Sequence, residues 1–308
     1  MIVALAGGVG GAKLAAGLAA VLPPGDLTVV VNTGDDFVHL GLAISPDIDT
    51  VAYTLAGLND RTQGWGLAGE SWHFMSALER LGGAQWFRLG DKDLATHVER
   101  TRRLQRETLS AITADFATRL GIRQHIVPMS DDRVSTIVDT DEGELAFQDY
   151  FVRRRCEPHF RGIRFDGLAD ALPSAGLIAA LDDPALEAIV ICPSNPLLSI
   201  EPILALAGIG ETLRRRSVPL IAVSPFIGGE AVKGPAAKIM RELGLVPTPA
   251  AVAARYDGLL DGLVIDHADA AAPAPEGVTL LVTDSLMRDA PDQARLAQEV
   301  IQFARRCG

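Results

Sequence analysis

The sequence predicts an α/β protein built on a doubly wound, mostly parallel sheet, and three observations carry that prediction. Short apolar runs recur along the chain, amphipathic helical patterns lie between several of them, and a glycine-rich segment joins the first run to the first helical pattern. Near-continuous apolar runs, rather than alternating ones, are what strands buried on both faces require.

In chain order the expected strands are "IVALA" (2–6), "LTVVV" (27–31), "AIVIC" (188–192), "PLIAVS" (219–224) and "TLLVTD" (279–284). Helical patterns follow at 12–22, 200–215, 236–243 and 293–305. The middle breaks this rhythm: 94–120 reads as consecutive helices, and 134–152 alternates like antiparallel strands around the turn "DTDEGE" (139–144). The expected organisation is therefore a Rossmann-like nucleotide-binding core at 1–50 and 171–308, with 51–170 inserted as a helical and β-hairpin elaboration that completes a cleft for an acceptor. The stretch "ADAAAPAPEG", ending at Gly277, is a loop by composition.

The chain has 308 residues, enough for a substantial core, and a formal net charge of −11. Its pI near 5.0 sets the surface as a whole against nucleic acid and anionic membranes, so neither is an expected partner and any phosphate site is a local exception. Cys156, Cys192 and Cys307 are far apart and form no metal or disulfide spacing, which fits a reducing cytoplasm. No run of about 18 apolar residues and no signal-like opening occurs, so an untargeted soluble protein is expected.

"LAGGVGGAKL" (5–14) places four glycines within five positions, 7–11, between a strand and a helix. Backbone amides and a helix N-terminus can meet a phosphate there without side-chain obstruction, so Gly8, Gly10, Gly11 and Lys13 are candidate phosphate contacts. The segment lacks the Gly-Lys-Ser/Thr ending of a Walker A loop. Lys13 stands where the third glycine of a dinucleotide fingerprint belongs, which weakens ATP hydrolysis and NAD binding as readings.

After the second strand, "NTGDDFVHLGLAISPDIDT" (32–50) crowds Asp35, Asp36, Asp47 and Asp49 into one loop. Loops after parallel strands share one edge of the sheet, so these carboxylates should face the glycine loop. They would repel a phosphate unless a hard divalent cation such as Mg²⁺ stood between. Ser45, Pro46 and Asp47 also read as a helix start, leaving Asp47 as capping carboxylate and Asp49 as ligand.

Three further loops have the same character. "LGDKDLATH" (89–97) sets Lys92 between Asp91 and Asp93, and its His97 reads as a packed or capping residue. "CPSNPLLSIEP" (192–202) exposes Ser194 and Asn195 between prolines. "SPFIGGEAVKGPAAK" (224–238) offers Gly228, Gly229 and Gly234 with Lys233 and Lys238 as a second anion cradle. No Ser–His–Asp or Cys–His nucleophile arrangement stands out, so a covalent intermediate is not expected.

Taken together, "AGGVGGAKL", "NTGDDF", "ISPDIDTVAYTLAG", "WFRLGDKDLATH", "MSDDRVST", "FQDYFVRRR", "CPSNPLLSIEPIL" and "VSPFIGGEAVKGPAAKIM" resemble the 2-phospho-L-lactate transferases of coenzyme F420 biosynthesis. The resemblance implies a cytoplasmic, Mg²⁺-dependent enzyme, and a homodimer. Its donor would be a guanosine diphosphate ester of lactate, enolpyruvate or glycerate, its acceptor the deazaflavin Fo (7,8-didemethyl-8-hydroxy-5-deazariboflavin), and its by-product GMP. It further implies Asp49 as the catalytic residue at the acceptor hydroxyl and, with Asp36, at the metal. Lys92 and Asp91 would serve the acceptor, Gly8, Gly10, Gly11 and Lys13 the diphosphate, and Ser194 and Asn195 the guanosine. Ala207, Gly210 and Ala237 depart from the family's pattern, and Phe226 replaces a more usual aliphatic residue. The sequence leaves the acid of the donor open. A nucleotide-sugar-binding regulatory protein of the same fold, or a transferase with another acceptor, are the competing readings.

Overall fold

The computed structural model describes residues 1–256 and 258–308. Seven strands form one sheet: β1 (Ile2–Ala6), β2 (Leu27–Val31), β3 (His125–Pro128), β4 (Ala188–Ile191), β5 (Leu220–Val223), β6 (Gly262–Asp266) and β7 (Thr279–Thr283). Their spatial order is β7-β6-β5-β4-β1-β2-β3, and every pairing is parallel. Ile2 lies opposite Leu27 on one side and Ala188 on the other.

Successive residues of a strand point to opposite faces, and here both faces are buried. Val3 and Leu5 enter one core with Ile189, Ile191 and Leu263, while Ile2, Ala4 and Ala6 enter the other with Val29 and Val190. That second core is closed by helix α1 (Gly8–Val21), through Leu14 and Leu18, and by the long C-terminal helix Ala290–Cys307, through Leu296 and Val300.

From β1 the chain steps outward to β2 and β3, then returns to β4 on the other side of β1. The loops after β1 and β4 therefore diverge at a topological switch point, where open α/β sheets form their ligand crevice. Helix α2 (Pro46–Leu55) follows the aspartate loop, and helix α3 (Asp93–Arg103) lies beyond it in the span expected as an insertion.

That span, 51–170, contributes edge strand β3 to the central sheet as well as separate structure. Helices Asp93–Arg103 and Leu109–Arg119 lie where consecutive helices were expected. The alternating stretch gives strands Ser135–Thr140 and Gly143–Ala146, then turns helical at Asp149–Arg153. The third strand of this antiparallel sheet comes from Phe160–Asp166. The helical pattern at 200–215 is broken into Glu201–Leu204 and Ile209–Arg215. Among the described residues no single helix is long and apolar enough to cross a membrane.

Candidate active site

A cleft of about 680 Å³ opens at the switch point, lined by Gly8, Gly10, Lys13, Asp49, Ser194, Asn195 and Lys233 among others. The expected phosphate and aspartate loops thus meet in one cavity.

Its glycine-loop end is built by backbone close approach. A Cβ on Gly10 would stand 2.2 Å from the Pro193 carbonyl oxygen, and one on Gly11 would stand 2.5 Å from Ser194 Oγ, so only glycine lets the loops after β1 and β4 touch. Ser194 stitches the contact: its hydroxyl accepts from the Gly7 amide at 3.0 Å and donates to the Gly7 carbonyl at 2.8 Å. Asn195 Oδ1 accepts from the amides of Leu197 and Leu198, starting the helical turn Pro196–Ile200. Both side chains expected at the guanosine are therefore also structural.

Asp47 does not act mainly on its own helix. Its Oδ1 accepts from the Gly8 amide at 2.7 Å and its Oδ2 from Asn32 Nδ2 at 3.0 Å, so one carboxylate ties the aspartate loop to the phosphate loop. Burial raises its pKa to about 6, against the lowering effect of those hydrogen bonds. Asp35 is pushed well above the carboxylate range by burial and then by its neighbours Asp47 and Asp36. Burial also raises Asp36, whose Oδ2 accepts from Ser45 Oγ at 2.6 Å and whose Oδ1 is buried with no hydrogen-bond partner.

Lys13 Nζ donates to the Met287 carbonyl at 2.8 Å, and Lys233 Nζ donates to the Gln63 carbonyl at 3.2 Å. Burial and the charge of Lys233 both lower the Lys13 pKa, as expected of two ammonium groups gathered at one anion site. Gly228 and Gly229, at φ 60° and 75°, form the turn of a tight hairpin between Phe226–Ile227 and Glu230–Ala231. They lie outside the cleft lining, which takes only Lys233 and Gly234 of the expected second cradle, while Lys238 pairs with Glu242.

At the other end, Asp49 is buried and its carboxylate is gripped by Arg100: Nη1 donates to Oδ2 at 3.0 Å and Nη2 donates to Oδ1. His97 Nδ1 lies 3.7 Å from Asp49 Oδ2, and His97 Nε2 lies 3.3 Å from Asp93 Oδ2. Tyr53 donates to Asp93 Oδ1 at 2.5 Å, and its own pKa is raised by burial and by the charges of Asp49 and Asp93, so it stays a neutral donor. Donor atoms of Asp49, Asp93 and His97 fall within 4.8 Å of one another. The reading of His97 as a packing residue missed this network. Its signal was present, since Asp93, His97 and Arg100 recur at helical spacing on one face of α3.

Lys92 and Asp91 are not in the cleft lining. Lys92 Nζ donates to the Ala68 carbonyl at 2.9 Å. Asp91 accepts from Ser71 Oγ and from the amides of His73 and Phe74, tying down the start of helix His73–Arg80, and those bonds hold its pKa below the usual value. The lining at this end is aromatic instead: Trp86, Phe87, Phe147 and Phe151, the last two stacked at 5.4 Å.

The cleft joins a glycine-rich loop to a buried Asp–Arg–His network. The family profile of 2-phospho-L-lactate transferase CofD matches residues 2–299. The chain belongs to this family. A 2-phospho-L-lactate transferase of Methanopyrus kandleri is 42% identical over 97% of this chain and 96% of its own length. A phosphoenolpyruvate transferase of Streptomyces coelicolor is 39% identical, covering 98% of each chain. Among solved structures, a UPF0052-family protein of Bacillus halodurans superposes with a TM-score of 0.60 at 14% identity, over 97% of this chain and 98% of its own, which shows the shared fold. As a CofD family member the protein is a transferase acting in coenzyme F420 biosynthesis.

Proposed function

We propose that this protein transfers a phospho-carboxylic acid unit from a guanosine diphosphate ester to the terminal ribityl hydroxyl of the deazaflavin Fo. The product is F420-0 or its dehydro form, and GMP is released. The observation that carries this reading is the single cleft with two chemically different ends, a glycine and lysine cradle at one and an aromatic wall at the other, with Asp49 in the same lining. The 2-phospho-L-lactate and phosphoenolpyruvate transferases among its relatives support a phospholactate or phosphoenolpyruvate unit.

In the proposed reaction the hydroxyl oxygen bonds to the phosphorus bearing the acid, and the bond from that phosphorus to the bridging oxygen breaks. GMP leaves with that electron pair. Such a step needs positioning and charge neutralisation more than a protein nucleophile. Lys13, Lys233 and the glycine-loop amides hold the diphosphate. Asp49 orients the hydroxyl and takes up its proton, while Arg100 fixes the carboxylate and Asp93 with Tyr53 fixes His97 behind it.

The carboxylate loop fits a hard divalent cation: the donors are oxygens, and Asp36 Oδ1 is a buried acceptor left without a partner. We propose Mg²⁺ held by Asp36 and Asp49, where it supplies charge neutralisation for the diphosphate. Asp49 would then share its carboxylate between the ion and Arg100. The homodimer implied by the resemblance is tested by light scattering on the purified protein.

The decisive experiment incubates the protein with Fo, Mg²⁺ and each guanylylated donor, and looks for GMP and the phosphodiester by mass spectrometry. Product with one donor names the acid. Nucleotide binding without product from any donor overturns the proposal in favour of a nucleotide-binding regulatory protein.

A further inference from the structure

The segment 57–70, between helix α2 and helix His73–Arg80, is built unlike the rest of the cleft wall. Gly57, Gly64, Gly66 and Gly69 all take left-handed backbone, at φ 68°, 82°, 69° and 64°. Among the described residues, none of its side chains joins a hydrophobic core. The loop closes on itself: Asn59 bridges Leu67, the Asp60 amide donates to the Gly66 carbonyl at 3.0 Å, and Asp60 Oδ1 accepts from the amides of Thr62 and Gln63. A segment held by hydrogen bonds without buried apolar surface opens locally while the fold stays intact.

Both ends of this segment touch working parts of the site. At the tip, Gln63, Trp65 and Gly66 line the cleft, and the Gln63 carbonyl accepts from Lys233 Nζ at 3.2 Å. Gly64 is pressed so closely there that a Cβ would stand 2.4 Å from Lys233 Nζ and 3.4 Å from Val9 of the glycine loop. At the base, the Glu70 carboxylate accepts from the amides of Lys92 and Asp93, each at 2.8 Å. N–H groups at the start of a helix have no partner within it, so Glu70 fixes where α3 begins. Gly90 admits this contact, because a Cβ there would stand 2.2 Å from Glu70 Cδ. Both bonds use backbone amides and do not depend on the Lys92 side chain.

Lys233 offers its ammonium to a neutral carbonyl, and an ammonium carries three donors. A diphosphate on the glycine loop is a far stronger acceptor, and Lys233 can hold it without releasing Gln63. We propose, resting on the diphosphate donor proposed above, that segment 57–70 is a strap: it opens to admit the donor, closes when the diphosphate engages Lys233, and through Glu70 seats the helix that carries Asp93, His97 and Arg100. Glu70 is then a positioning residue. It acts through Asp93, whose carboxylate holds Tyr53 and meets His97. The donor shifts the strap only by the contacts it gains in the closed state, and those run through Lys233.

Arg61, exposed at the tip, makes the movement measurable. Trypsin cutting there releases fragments 1–61 and 62–308, identified by mass spectrometry. Saturating GDP, its binding confirmed by calorimetry, should slow this cleavage at least about tenfold in the native protein. Lys233→Met, at a GDP concentration that again saturates, should lose the protection. Glu70→Ala should keep the protection but lower kcat about tenfold, with both KM values within about threefold. Glu70→Gln, which retains one acceptor oxygen, should recover part of kcat. GDP that binds without protecting Arg61, or protection that survives Lys233→Met, overturns the strap. An unchanged kcat in Glu70→Ala, or one that falls in step with the melting temperature and is not recovered by Glu70→Gln, overturns the positioning role. Binding without protection leaves the transferase reading standing, whereas protection without product from any donor keeps the strap and sinks that reading.

Discussion

The two ends of the cleft are built from different materials. At the glycine-loop end the contacts run from backbone to backbone or from a buried side chain to backbone: Gly10 against Pro193, Ser194 on Gly7, Asp47 on Gly8. At the aromatic end the lining is side chain, and much of it is exposed, as at Phe151 and Arg88. Between them lies a buried ion network whose members each have a defined partner. A wall made of backbone is inseparable from the fold, whereas one made of side chains can change without unfolding the sheet.

The strongest way to probe that difference is the residue between the ends. Asp49→Asn is expected to lower turnover by at least about a hundredfold while GDP binding, measured by calorimetry, persists. It also leaves the buried Arg100 without its anion, so denaturant unfolding should show a loss of about 3 kcal/mol. The double variant Asp49→Asn, Arg100→Gln should regain part of that stability without regaining turnover, which separates chemistry from structure. Next in size, Gly10→Ala drives a methyl into the Pro193 carbonyl and should cost at least about 2 kcal/mol together with nucleotide affinity. A normally stable, nucleotide-binding Gly10→Ala protein would break the claim that this end is inseparable from the fold.

The third test is pH. Asp47 ionises near 3.8 when unfolded and near 6 when buried in the fold, so between these values the folded state binds the extra proton. The contribution of this group to stability is then fully present below about 4 and is lost as pH rises through about 6; Asp35 and Asp36, raised in the same direction, contribute with the same sign. Denaturation midpoints measured from about pH 4 to 6 should therefore lose more with rising pH, or gain less, in the native protein than in Asp47→Asn. Smallest of all, Lys92→Met should change the kinetic constants by less than about twofold, because its ammonium serves the Ala68 carbonyl outside the cleft.

What could be read from the sequence follows the same division. Five of the seven sheet strands were readable because each is a short apolar run. The four-residue β3, "HIVP", carries a histidine and a proline and gives no run to find, while "GLVID" of β6 is apolar but went unread beside the loop that follows it. The glycine loop was readable because missing side chains are visible as letters. Lys92 and Asp91 were chosen for charge and motif position, yet they serve the backbone around Ala68 and the start of a helix. Arg100 and Glu70 acquire meaning only through partners far along the chain, Asp49 in one case and the amides of Lys92 and Asp93 in the other. Local pattern does not encode such pairings.

Trp65 adjoins Gly64, which packs against Val9 of the glycine loop and against Lys233, so a Trp65→Phe protein keeps its indoles, Trp72 and Trp86, only at the aromatic end of the cleft. The intrinsic fluorescence of that variant is thus a one-sided instrument. A ring settling among these indoles must quench or shift their emission, while a nucleotide held on the glycine loop has no indole beside it to disturb. Order of arrival of the two substrates can accordingly be followed in real time, without a label and without a single turnover.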